Sequence, residues 1–371
     1  TLSFALLPEP IHWMLMGGGV TRSLGLLLAI LSFKSIYRMY LTGRKKDIVS
    51  AAILSSGVIV SHPQMAWFVA YSSAIMFSFA GRNLRGLINS VIVAIGVLVL
   101  SSPWWISVIT RHGWAPFLAS TDRGWNLLGG LGWLFLFGGT GEAFVPVLAL
   151  MAVAGIMMCL LKHEFLLPIW ALATFALDGW VPTTTGAVPL ALLGGIGVAN
   201  VIWPLLVRGK TDSAPENFNI ADEQRRRELA AWILLALGIY ASLSSLGSGM
   251  LTLLHLSKDE RAAMKWIRQN TPTFSSYLVV TGEQWPVDRS SEWFPVLTQR
   301  RSVATVQGSE WLSGKEFAKR VDRNKQLISC ATEDARCVER WIKNSSQTVT
   351  HLYVTKRGPS LYTAKAWRSE Q

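Results

Sequence analysis

The chain has 371 residues, half of them hydrophobic and 16% charged, with a mean hydropathy of +0.33 and a formal net charge of +12. Its apolar residues fall in long blocks instead of short amphipathic patterns, which excludes a single soluble core and predicts a helical protein that crosses a bilayer repeatedly. The positive charge comes without a stacking-aromatic motif, so it is read as loop charge facing anionic lipid, with no nucleic-acid partner.

The sequence opens at Thr1 and becomes apolar at once, without the basic flank and small-residue cleavage site of a signal peptide, and it is read as a fragment whose beginning lies upstream. A bilayer core needs roughly 20 helical residues. Eight blocks meet or approach that length: Thr21 to Tyr40, Ile48 to Ser61, Gln64 to Ala80, Leu87 to Ile109, Ala143 to Leu161, Phe165 to Val181, Ala187 to Val207 and Ala230 to Leu254. The second is short and is expected to tilt or bend. Trp125 to Phe137 is too short and Gly-rich to span, and is predicted to be a re-entrant or interfacial segment held against protein. Seventeen tryptophans suit the membrane–water interface, where the ring is buried and the N–H stays wet.

Lys and Arg mark alternate short loops: Arg44 to Lys46, Arg82 and Arg85, Lys162 with His163, then Arg208, Lys210 and Arg225 to Arg227. The positive-inside bias places these loops in the cytoplasm. The turn "SHPQ" (Ser61 to Gln64), residues Thr110 to Trp125, Asp178 to Gly186 and everything after His255 then lie on the outer face.

Residues 1–255 are accordingly read as a polytopic transmembrane domain of about eight helices, and 256–371 as a small extracytoplasmic α/β domain. In the latter, Lys258 to Pro272 reads as a helix continuing out of the membrane, Tyr277 to Gly282 and His351 to Lys356 as buried strands, and Gly314 to Arg323 and Thr332 to Lys343 as helices. Cys330 and Cys337 could pair in an oxidising compartment or remain separate thiols.

Basic residues that defy the inside bias are the informative ones, because a guanidinium held on the outer side suits a phosphate or carboxylate. They are Arg22, Arg111, His112 and Arg123. His62 stands at a span end beside Pro63, with capping or packing as the plain alternative to a role at a polar substrate. Outer-side acids of the membrane part are Glu9, Asp122, Glu142 and Asp178. Asp178 ends an apolar span; Asp122 adjoins Arg123 and could simply pair with it. No usable Ser-His-Asp order, P-loop, metal-protease or dinucleotide fingerprint occurs, and no paired CxxC zinc pattern.

The series "GGGVTRSLG", "SHPQMAWF", "SSPWWISVITRHG", "VPTTTGAVPLALLGGIG", "MKWIRQNTP", "VVTGEQWPVD" and "SEWFPVLTQRRSVATVQGSEW" resembles the later part of prokaryotic membrane proteins of the GT-C glycosyltransferase superfamily. This is the class of oligosaccharyltransferases and protein mannosyltransferases. The resemblance implies a multi-helix domain that takes a sugar from a polyprenyl-phosphate carrier at the outer face of the cytoplasmic membrane, followed by an exported α/β domain. It implies no cofactor beyond that lipid-linked donor, and membrane lipids as partners. The acidic residue or pair that such enzymes carry in the first extracytoplasmic loop has no counterpart here, so the main base is expected upstream of Thr1. The WWDxG sequence is absent too, which removes support for peptide N-glycosylation.

Chemistry of this kind needs a carboxylate to deprotonate an acceptor hydroxyl and cations to stabilise the departing lipid phosphate. Asp122 and Asp178 are the carboxylates on offer, while Arg22, His62, Arg111, His112 and Arg123 are the substrate-binding candidates. In the polar run Thr281 to Arg300, Glu283, Trp285 and Asp288 are expected to face the acceptor, as a lid. The plainer account has Trp293 and Phe294 packing the domain onto the membrane helices while Asp288 and Glu292 pair with arginines. A non-catalytic scaffold with an exported binding domain, and a lipid or solute transporter, are the rival classes.

Overall fold

The computed structural model describes residues 2–15, 19–121, 140–142, 144–178, 182–207, 220–252, 256–309, 314–330, 335–345 and 347–355, together with Gly132, Leu312 and Glu333. The chain divides into two compact units, Thr1–Arg111 with Arg123–Leu253, and His112–Asp122 with Leu254–Gln371.

The first unit is helical. Its helices are α1 (Leu2–Ala5), α2 (Pro8–Leu15), α3 (Gly19–Thr42), α4 (Lys45–Ser61), α5 (Pro63–Ala80), α6 (Leu84–His112, whose last residue groups with the second unit), α8 (Val147–Leu161), α9 (Leu166–Leu177), α10 (Pro182–Gly197), α11 (Trp203–Val207) and α12 (Ile220–Thr252). α7 (Ala115–Thr121) belongs to the second unit. A π-helical turn, Val198–Ile202, joins α10 to α11. Each of the eight apolar blocks is helical over most of its described residues. α10 starts earlier than the apolar block because Pro182 fits a first helical turn, where no amide hydrogen bond is lost. α12 starts earlier because charged residues such as Glu and Arg sustain a helix even though they end an apolar run.

Four helical stretches are long and apolar enough to cross a membrane: Gly19–Thr42, Leu84–His112, Pro182–Leu206 and Gln224–Gly247. Their exposed side chains include Leu24, Leu27, Val91, Ile95, Leu98, Trp232, Leu235 and Ile239, an apolar exterior suited to lipid. The chain is a helical membrane protein. Inside, Leu26, Ala29, Phe33, Ile36 and Met39 recur at three and four residues along α3 and meet Ala51, Ala52 and Val58 of α4 and Met65 and Phe68 of α5. α8 and α10 touch backbone to backbone. A Cβ on Gly155 would lie 1.9 Å from the Leu193 carbonyl oxygen, and one on Gly197 2.1 Å from that of Met151. Small residues permit such contact between membrane helices.

The second unit holds α13 (Lys258–Asn270), β1 (Ser276–Val280), α14 (Arg289–Thr298), β2 (Arg301–Ser302), α15 (Gly314–Cys330), α16 (Ala335–Ser345) and β3 (His351–Val354). The strands form a parallel sheet in the order β2-β1-β3, with Tyr277 opposite both Ser302 and His351. β1 is buried along its whole length, as a central strand with both faces covered must be. Tyr277 and Val279 pack with Met264, Ile267 and Phe294, while Leu278 and Val280 pack with Leu327, Val338 and Trp341. Cys330 and Cys337 are joined as a disulfide.

Two expectations change here. The helix after His255 starts afresh: Ser257 and Glu260 form a reciprocal capping box, the Ser257 Oγ accepting the Glu260 amide at 3.1 Å and the Glu260 carboxylate accepting the Ser257 amide at 2.7 Å. Phe294, expected against the membrane helices, is fully buried in its own unit's core, while Trp293 is exposed. The re-entrant segment Trp125 to Phe137 lies outside the described residues, Gly132 excepted.

Candidate functional site at one end of the helical unit

An aromatic nest fixes the geometry of the site. The Phe33 ring stands edge-on to Phe68 at 4.9 Å and to Trp170 at 5.1 Å, Phe68 and Trp170 stack at 6.2 Å, and the Trp170 indole N–H donates to Ser72 Oγ at 2.8 Å. Such pairs add to area burial and hold ring orientation. They lock α9 against α5 and α3, so that the end of α9 meets the start of α5, where the Trp67 indole N–H donates to the Leu177 carbonyl at 3.0 Å.

The next residue along α9 is Asp178. It is 3% exposed, and its amide closes the helix onto the Thr174 carbonyl. Gln64 Nε2 donates to both carboxylate oxygens, at 3.2 and 3.3 Å, and Thr185 Oγ1 donates to one of them at 2.8 Å. Gln64 lies in the first turn of α5 and Thr185 in the first turn of α10, so side chains from the starts of two helices hold the carboxylate. The Tyr71 hydroxyl, two turns along α5, is within electrostatic reach of Asp178 and beside Thr185.

His62 occupies the extended turn between α4 and α5, two residues before Gln64. A Cβ on Gly25 would sit 3.1 Å from His62 Cβ, so α3 approaches the turn closely and a larger residue there would press on His62 and Met65. Burial, and then the positive charge of Arg22 on the same stretch of α3, lower the His62 pKa to about 4. The imidazole is therefore neutral at physiological pH, and its Nδ1 is buried without a hydrogen-bond partner. Thr184 Oγ1 shares that condition. Buried polar atoms are nearly always bonded, so the unpartnered His62 Nδ1 and Thr184 Oγ1 mark places built for polar contact.

The structure thus puts Arg22 within electrostatic reach of His62, and Asp178 in hydrogen bond with Gln64, two residues on from His62, and it adds Tyr71 and Thr185. The signal that could have found the additions is chemical: hydroxyl and amide side chains concentrated in "SHPQ" and "PTTTG" at the ends of otherwise apolar segments. Basic loops gather elsewhere, Arg85 donating to the carbonyls of Thr42 and Gly43 between α3 and α4.

Arg111 and His112 are exposed at the C-terminal end of α6. Asp122 and Arg123 lie outside the described residues. Glu142 has a structural part, its two oxygens accepting the Leu148 and Ala149 amides at 3.1 and 3.2 Å in the first turn of α8.

In the second unit, the run Thr281 to Arg300 follows the C-terminal end of β1. Asp288 is not an acceptor-facing acid: it is 2% exposed, caps α14 by accepting the Ser291 amide at 2.9 Å, and accepts the Thr281 hydroxyl at 2.6 Å. Nor does an acid explain Arg300. Its guanidinium donates to the carbonyls of Arg268, Thr271, Thr298 and Gln299, stitching together the ends of α13 and α14. Glu283 is partly buried and lies 3.9 Å from Arg289, and Trp285 meets Phe317 edge-on at 5.7 Å.

Fold and site together define a class: a helical membrane protein with a buried carboxylate, a neutral imidazole and a guanidinium at one end of its first unit. No family model matches the chain, and no curated protein does either.

Proposed function

We propose that this protein is a membrane glycosyltransferase of the GT-C type, moving a sugar from a polyprenyl-phosphate carrier to an acceptor at the outer face of the cytoplasmic membrane. The observation that carries the reading is that Arg22 lies within electrostatic reach of His62, and that Gln64, two residues on from His62, binds Asp178, at the end of α4 away from the basic loop between α3 and α4. Arg22 suits the lipid phosphate as a charged donor, and the neutral His62 suits an acceptor hydroxyl as proton acceptor. Asp178 positions that hydroxyl through the Gln64 and Thr185 network. In this reading about eight helices span the bilayer, and the second unit is an extracytoplasmic α/β domain beside the acceptor path.

The test is transfer of labelled hexose from synthetic polyprenyl-phosphate hexoses by the full chain in proteoliposomes. Arg22→Ala should lower kcat/KM about 10- to 100-fold, the loss of a charged hydrogen bond. His62→Ala should lower kcat while leaving binding of the carrier intact. Carrier bound but never turned over would favour the scaffold, and carrier moved across the vesicle without transfer the transporter. No response to carrier at all would reject the proposal.

A further inference from the structure

A separate cavity of about 150 Å³ lies in the second unit, between the β2 strand with its following loop, α15 and the end of α16. Three guanidiniums line it, those of Arg301, Arg320 and Arg323, and none of the described lining residues is acidic. Arg320, Arg323 and Asn324 fall three and four residues apart and so share one face of α15. Among the described residues, the bonds that Arg320 and Arg301 make are to neutral oxygens, to Ser309 Oγ at 3.0 Å and to Gln347 Oε1 at 3.3 Å, and no ion pair to a carboxylate joins them.

The second observation is Asn324. It is 5% exposed and lines the same cavity, and its Nδ2 donates to the Ala304 carbonyl at 3.4 Å. Its Oδ1 is then left buried without a donor. Unsatisfied buried carbonyl oxygens are rare and call for a hydrogen-bond donor. Trp341 beside it is spoken for, its indole N–H donating to the Arg323 carbonyl at 2.9 Å, and so holds α16 and α15 together as the floor.

We propose that this cavity binds a small hydroxylated oxyanion, the phosphate ester or carboxylate of a sugar-sized compound. The arginines supply planar, charge-assisted donors for the anion, and Asn324 supplies the acceptor for a hydroxyl. The volume falls below the several hundred cubic ångströms typical of drug-sized sites, so the ligand is small. The inference uses the second unit alone and does not rest on the transferase reading.

The experiment is isothermal titration of the full chain in detergent micelles with glucose 1-phosphate, glucuronate and inorganic phosphate, against potassium chloride at matched ionic strength. Expected is one saturable site, weakened at least tenfold by Arg320→Ala combined with Arg323→Ala and by Arg301→Ala alone, and unchanged by Lys325→Ala, which removes an exposed cation paired with Asp322. Glucose 1-phosphate should bind more tightly than inorganic phosphate, and Asn324→Ala should erase that advantage. Arg301→Ala removes an exposed side chain, so it reads binding without endangering the fold. Heat no greater than with chloride, parental affinity in both arginine variants, or binding abolished by Arg22→Ala instead would overturn the proposal.

Discussion

Asp178 places a carboxylate at the C-terminal end of an apolar helix, where the macrodipole opposes negative charge, and the structure compensates with donors from two other helices. His62 makes the complementary case. Unfolded, its imidazole titrates near the ordinary value of about 6.5; folded, burial and Arg22 bring it to about 4. Between those values the unfolded chain binds more protons than the folded one, so this contribution to stability is complete above about pH 6.5 and is lost as pH falls toward 4. Partial exposure limits it to about 1–2 kcal/mol. The thermal midpoint of the parent should therefore fall more between pH 7.5 and pH 5 than that of His62→Gln. Parallel curves would remove the buried neutral imidazole from the account.

Capping decides where the elements of the second unit begin and end. The polar run after β1 contains carboxylates of opposite use, one buried and capping, the other at a partly exposed ion pair. Asp288→Ala should lower stability by about 1–2 kcal/mol, the cost of an N-cap together with its Thr281 bond. Glu283→Ala should cost under about 1 kcal/mol, because a loose, partly exposed pair contributes little. Chemical denaturation of the two variants measures the difference, and equal losses would contradict the assignment. The sequence pattern showed the polar residues of the run but not the helix Arg289–Thr298 inside it, since Pro295 and the serines weaken helical propensity and the Asp288 cap and the packing of Phe294 against Tyr277 and Tyr353 offset them.

Across the whole helical unit, the basic turn after α3 and the polar turn after α4 sit at opposite ends of one helix, Lys45–Ser61. If that helix crosses the bilayer with its basic end inside, a cysteine replacing Lys46 should react with a membrane-impermeant maleimide only after permeabilisation, and one replacing Ser61 should react in intact cells. The native Cys159 is buried in α8 and offers little background. Labelling of both positions from one side would overturn the arrangement of the site on the outer face.

Hydropathy alone determined that this is a helical membrane protein and roughly where its helices run, because burying or lipid-facing twenty successive apolar residues leaves little alternative to a helix. It also drew attention to Arg22, His62 and Asp178, since charge is costly beside hydrocarbon and stands out there. Tertiary structure alone decided that Arg22 comes within electrostatic reach of His62, that Gln64 and Thr185 hold the Asp178 carboxylate, and that Asp288 and Arg300 serve helix ends. Those pairings join residues as much as 114 positions apart, and a carboxylate's partner is fixed by which helices pack together, as Phe33, Phe68 and Trp170 pack here, and not by its neighbours in the chain.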